Sequence, residues 1–153
     1  MRGQFDSIVA KMPKLLSQLL DTTPLSRDRL QRIPERGVYV LYEDDTPIYV
    51  GRSNRLRQRL LEHSRPSSLH NSAPFAFNLA KEEAGKRGID LQGKQRSQMA
   101  NDPRFVELFK EAKQRVAAMK VRSIEITHPI EQTLFEVYAA LALQTPYNDF
   151  DTH

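Results

Sequence analysis

The triplets Gly37-Val38-Tyr39 and Tyr49-Val50-Gly51 put a tyrosine into each of two neighbouring apolar runs, and an arginine-rich segment follows at once. Residues 52–65 hold five arginines (Arg52, Arg55, Arg57, Arg59 and Arg65) against one acid, Glu62. A guanidinium keeps its charge at any working pH and grips a phosphate through two parallel hydrogen bonds. A phenol orients water or a phosphate oxygen, and with a cation beside it can exchange a proton. His63 stands four residues after Arg59, so on a helix the two share a face. Taken singly, each residue has a plain structural role, as a half-buried strand aromatic or a solvated helix cation. Their order along the chain asks for more.

The overall charge is +4, a mild excess, so its placement carries the argument. Residues 81–122 add eleven Lys or Arg against six acids. Patches of this kind attract a phosphate backbone whatever its sequence. At 39% hydrophobic and 27% charged, the 153 residues suit a single globular domain and are too apolar for disorder. Cysteine is absent, which removes disulfides and thiolate metal sites and fits a reducing compartment. No stretch nears the ~20 apolar residues of a membrane span, and the N-terminus lacks a signal-peptide core, so a cytoplasmic protein is expected.

The elements that must position these residues follow from periodicity. Residues 38–42 and 48–50 are rich in β-branched and aromatic side chains, and Glu43-Asp44-Asp45-Thr46-Pro47 between them is turn chemistry, so a hairpin is expected. With a five-residue loop, Tyr42 pairs with Ile48 and Leu41 with Tyr49. Tyr39 and Tyr49 then share one face, and Val38, Val40, Ile48 and Val50 take the core face. Ser53 caps the next helix, where Leu56 and Leu60 face the sheet. Residues 4–20 suit an amphipathic helix kinked at Pro13, packing as an accessory element; residues 21–37 read as a connector with one helical turn at 26–32. Residues 64–104 read as an insertion of loops and short helices. After them come a helix with Phe105, Leu108, Phe109, Ala112 and Val116 inward, a third strand at 120–127, and a last helix opened by Pro129. That last helix carries Ile130, Leu134, Val137 and Leu141 as its core stripe.

The pattern resembles the GIY-YIG nuclease family. The two triplets match the eponymous motifs with Val in place of Ile. Ser53, Leu56, Arg59 and His63 match the following helix, and Glu136 with Pro146, Tyr147 and Asn148 matches the distal part. The likeness spans residues 37–148 with the middle unmatched. It implies a Mg²⁺- or Mn²⁺-dependent endonuclease that hydrolyses DNA phosphodiesters, with RNA as an alternative substrate. Tyr39, Tyr49, Arg59, His63 and Glu136 are then the catalytic set. Glu136 holds the metal, a role for which Glu131 is the rival on the same helix. Arg59 stabilises charge, Tyr39 serves as general base or orients water, and Tyr49 bonds the phosphate or Tyr39. His63 orients a tyrosine or accepts a proton. Gly51, Arg52 and Asn148 are the supporting residues.

The expected fold is α/β: a small, mostly antiparallel three-stranded sheet flanked by helices. Residues 1–36 form an N-terminal helix and connector, and residues 37–150 the nuclease-like domain with its insertion at about 64–104. With no separate recognition domain, specificity must come from the insertion, a homodimer or a separate partner. Two rival readings stand beside this one: a binding module of the same fold that does not cut, and a structural or protein-interaction domain.

Overall fold

A computed structural model describes residues 3–150; Met1 and Arg2 of the N-terminal segment and residues 151–153, including His153, lie outside the described residues. The chain divides into two compact units, Met1–Arg59 with Met119–His153, and Leu60–Ala118. The first unit contains a three-stranded antiparallel sheet in the order β2-β1-β3, formed by β1 (Gly37–Glu43), β2 (Thr46–Ser53) and β3 (Lys120–Glu125). Strands and helices together make the small α/β fold that the periodicity indicates.

Register decides which side chains meet. Tyr39 lies opposite Gly51 and Leu41 opposite Tyr49, so both tyrosines stand on one face of the hairpin. The Leu41–Tyr49 pairing is the expected one, but the end of the hairpin differs. Asp44 and Asp45 alone make the turn, Tyr42 pairs with Pro47, and the register shifts between Leu41 and Tyr42, leaving Ile48 in a bulge. Pro47 has no N–H to give a ladder, which favours a bulge there, and Asp44 tolerates its left-handed φ of 55°.

The opposite face builds the core. Val38, Val40, Tyr42 and Val50 join Phe135, Ala139 and Ala140 of α7 (Pro129–Leu143) and Ile126. Ile8, Met12 and Leu19 complete the cluster from α1 (Gln4–Ala10) and α2 (Met12–Leu20). The N-terminal helices are therefore a full partner of the sheet rather than an accessory. Their break falls at Lys11, because Pro13 fits the first turn of a new helix better than the middle of an old one.

The expected stripe on α7 is corrected in part: Leu134 packs against the core cluster as expected, but the ends of the row do not. Ile130 and Leu141 are 53% and 71% exposed, while Gln132, Phe135, Ala139 and Ala140 are buried. Small residues let the helix lie close to the sheet, and that close approach outweighs the bulk of the aliphatic row.

The connector is anchored at both ends. Leu25 and Val121 exchange backbone hydrogen bonds of 2.8 Å, and Ile126 N–H donates to Arg36 at 3.0 Å. Between these anchors the chain forms a 3-10 helix, Arg27–Arg32.

The second unit holds the end of α3 (Leu56–Ser64), then α4 (Pro74–Lys86), α5 (Arg96–Ala100) and α6 (Pro103–Ala117). Phe77 of α4 meets Phe105 and Phe109 of α6, with ring centroids 5.0 and 6.0 Å away. The expected inward row of α6 is buried. Asp102 caps α6, accepting from Arg104 N–H at 3.0 Å and from Lys94 at 2.8 Å. The Arg104 guanidinium, at 2.9 and 3.2 Å, does most to hold its carboxyl well below the usual range, with Lys94 and the Arg104 N–H adding to it. Lys113 is buried and donates to the carbonyls of Pro66 and Ser68 at 2.7 and 2.9 Å, which ties down the loop before α4.

Candidate active site

Tyr39 is the centre of the first unit's polar face. It sits on the middle strand and is 1% exposed. Its ring occupies the space that a side chain at residue 51 would fill: a Cβ on Gly51 would fall on Oη and Cζ of Tyr39 and lie 2.8 Å from Cε1. Gly51 is thus the seat of the Tyr39 ring, a tight approach that only glycine allows. Gly37 has a comparable constraint, since a Cβ there would run into the Ile124 carbonyl of β3. Tyr49 lies beside Tyr39, with ring centroids 6.3 Å apart and planes inclined at 47°.

Arg59 reaches this pair from α3. Its side chain hydrogen-bonds Tyr39, and its charge acts on both phenols. The helix start is fixed by specific bonds. Arg55 N–H donates to Ser53 Oγ at 2.9 Å, a turn ahead of the helix rather than the expected cap, since Ser53 ends β2 and α3 opens at Leu56; Leu56 N–H donates to the Glu35 carbonyl at 2.9 Å. Burial pushes the Tyr39 hydroxyl well above its ordinary value, and neighbouring Tyr49 and Glu136 push it the same way. Arg59 opposes this without reversing it. Tyr49 is raised too, first by burial and then by Glu136. Both phenols therefore keep their protons at neutral pH and act as hydrogen-bonding hydroxyls.

Glu136 is the acid of the group. Half-buried on α7, it influences both tyrosines, and its own carboxyl is raised by burial while Arg52 pulls it back. Glu131, its rival on α7, instead faces Lys11 at 3.7 Å and its N–H is capped by His128 Nδ1. Tyr39, Tyr49, Arg59, Glu136 and Arg52 thus form one electrostatically coupled group within a single unit. His63 belongs to the second unit. It is fully buried in the last turn of α3, its ring meeting Phe75 edge-on at 6.4 Å.

Asn148 holds the outer edge of β2. Its Oδ1 accepts from Val50 N–H and its Nδ2 donates to the Val50 carbonyl, both at 2.8 Å, while Thr145 Oγ1 donates to Oδ1 at 2.7 Å. Tyr147 N–H adds a bond to the Ile48 carbonyl at 3.2 Å. The C-terminal turn therefore closes an edge strand that would otherwise present unpaired backbone beside Tyr49.

Sequence reasoning missed Gln132. It is 1% exposed, one turn before Glu136, and its amide donates to Asn54 Oδ1 at 3.1 Å and to the Ile126 carbonyl. It links the helix carrying Glu136 to the turn that launches Arg59. A polar residue amid an apolar row was the only signal available.

Among the described residues, no group of three His, Cys, Asp or Glu side chains stands close enough to share a metal. A desolvated carboxylate still fits a hard cation, because Mg²⁺ retains several waters and needs few protein ligands. Among the described residues no helix is long and apolar enough to cross a membrane. No family model, curated protein or solved structure matches the chain.

Proposed function

We propose that this chain is a metal-dependent endonuclease of the GIY-YIG type that hydrolyses phosphodiester bonds in DNA, working in the cytoplasm. The observation that carries the reading is the pair of neighbouring Tyr39 and Tyr49 rings, 6.3 Å between centroids, with Arg59 and Glu136 both within electrostatic reach of them. Hydrolysis needs a placed water, neutralisation of charge growing on the phosphoryl oxygens, and a proton for the leaving oxygen. The water oxygen bonds to phosphorus as the bond to the leaving sugar oxygen breaks; the attacking water gives up one proton to solvent and the leaving oxygen takes one from solvent, so the step balances.

Arg59 supplies the permanent charge. It acts on both phenols, so a phosphate that meets the tyrosine hydroxyls also meets its charge. Tyr39, held protonated by burial, orients the attacking water rather than removing its proton unaided. Tyr49, less buried, offers its hydroxyl to the phosphate. Glu136 would hold Mg²⁺ or Mn²⁺, and a bound cation would relieve the carboxylate of the cost of its burial. When bound, that ion supplies Lewis-acid stabilisation of the phosphoryl oxygens. Asn148 serves in the same reading as the clamp on β2.

The test is a cleavage assay on supercoiled, branched and single-stranded DNA with Mg²⁺, Mn²⁺ or EDTA. Metal-dependent products that Arg59→Ala and Glu136→Ala each reduce by about 10²-fold or more are expected. Salt-sensitive binding without cutting on every form would favour the non-catalytic module instead.

A further inference from the structure

The basic residues of the two units differ in their partners. In Leu60–Ala118, four of the ten cations are held in salt bridges: Lys86 with Glu82, Arg87 with Glu83 and Glu111, Lys94 and Arg104 with Asp102. In the first unit, by contrast, Arg27, Arg29, Arg32, Arg36, Arg52, Arg55 and Arg57 make no salt bridge among the described residues. All but the half-buried Arg27 are exposed. Every cation from residue 27 to residue 59 is arginine, the side chain whose fork matches phosphate.

The fold draws the two arginine segments together. Glu35 carbonyl accepts Leu56 N–H at 2.9 Å, so Arg36 and Arg55, the residues beside that bond, are neighbours in space. Arg36 immediately precedes Gly37, which pairs with Ser53, so Arg36 also lies at the end of the sheet where Arg52 stands. Ile126 N–H clamps the Arg36 main chain from the other side. From Arg36 the row continues into the 3-10 helix, where Arg29 and Arg32 line an open concavity of about 740 Å³ with Leu25, Asp28 and Gln31. The acids along this path are Asp28, hydrogen-bonded by Ser26, with Glu35 and Glu125; the arginines outnumber them.

We infer that the connector is a phosphate-binding arm. Arg29, Arg32 and Arg36 continue the row of Arg52 and Arg55 away from Tyr39, and together they hold the backbone of a nucleic-acid strand beside the phosphate to be cut. The inference rests on the proposed nuclease reading. It assigns the connector a share of substrate binding and no part in the chemistry.

The experiment measures binding of a fluorescein-labelled 30-base-pair DNA by anisotropy in EDTA, from about 50 to 300 mM salt, where each released phosphate contact contributes about 0.9 to the log–log slope. The reference protein is Glu136→Gln. The arm variant adds Arg29→Gln, Arg32→Gln and Arg36→Gln. A charge-matched control adds Lys14→Gln, Lys81→Gln and Lys110→Gln, all exposed and none in the two arginine segments. The expected result is a slope reduced by about 2–3 in the arm variant, unchanged in the control, with equal thermal midpoints. An arm variant that keeps the reference slope, while Arg55→Gln with Arg57→Gln lowers it, overturns the arm and leaves the nuclease reading standing. Equal losses in the arm variant and control overturn it too, since net charge then explains both. A reference protein that binds no DNA at any salt overturns the arm together with the reading beneath it.

Discussion

Gly51→Ala is the smallest change that tests the architecture of the site. In an unstrained strand, adding one methyl stabilises a protein by about 0.4–1 kcal/mol, because the unfolded chain loses freedom. Here the new Cβ would meet three atoms of the Tyr39 ring closer than real Cβ atoms approach anything, with Cε1 at 2.8 Å. The ring cannot swing into solvent, since it is 1% exposed on the central strand with Tyr49 beside it. Overpacking of this kind costs about 1–3 kcal/mol, so the clash wins and the sign is reversed. For a chain of this size that is a fall in Tm of roughly 2–10 °C. A displacement of Tyr39 by about 1 Å is also enough to cost about 10²-fold in cleavage.

Urea unfolding and cleavage rates of Gly51→Ala, Tyr39→Phe, Tyr39→Ala and the double variants separate the causes. Tyr39→Phe keeps Cζ and Cε1, so Gly51→Ala should remain destabilising in that background. In Tyr39→Ala the ring is gone, and the added methyl should cost little, leaving a coupling of about 1–3 kcal/mol. A Gly51→Ala protein as stable as wild type would refute the seating of Tyr39 on Gly51.

Three further outcomes follow from the same geometry. Asn148→Asp keeps the size of the side chain but loses the donor to the Val50 carbonyl, so urea unfolding should show a loss of about 1–3 kcal/mol, much as for Asn148→Ala; no loss would show that the edge of β2 does not need the amide. Gln132→Leu leaves the Ile126 carbonyl and Asn54 without their donor, and should cost about 1–3 kcal/mol together with a fall in kcat larger than any change in KM. The folded Glu136 carboxyl sits above its unfolded value, so its protonated form suits the fold; that stability is complete below the unfolded value and is lost as pH rises through the folded one. Glu136→Gln in EDTA should therefore match wild type in acid and exceed it at pH 7, and equal melting curves at both pH values would contradict the burial argument.

How much of this was legible in the sequence depends on which forces set each feature. The shared face of Tyr39 and Tyr49 follows from alternation once Leu41 meets Tyr49, and that register was readable. The bulge at Ile48 was not, because it depends on how Pro47 and the Asp44 turn share strain. On α7 the bulky aliphatics placed Leu134 against the core but wrongly added Ile130 and Leu141, while Phe135, Ala139 and Ala140 take the inward places. Asn148 was readable as a supporting residue, but its partner, Val50, was not. The connector's ties to Val121, Ile126 and Leu56 are long-range backbone bonds, which leave no mark in local composition. The seating of Tyr39 gives Gly51 a reason that spacing alone could not supply: it makes room for a ring before it makes room for a substrate.

The most direct test of the central claim is single-turnover cleavage of supercoiled DNA by wild type and Glu136→Gln, with binding and thermal melts measured on the same preparations. Wild-type cutting that requires Mg²⁺ or Mn²⁺, and a loss of about 10²-fold or more in a variant that folds and still binds DNA, is the predicted result. Equal cleavage by the two proteins, or cleavage by neither when both bind, would contradict it.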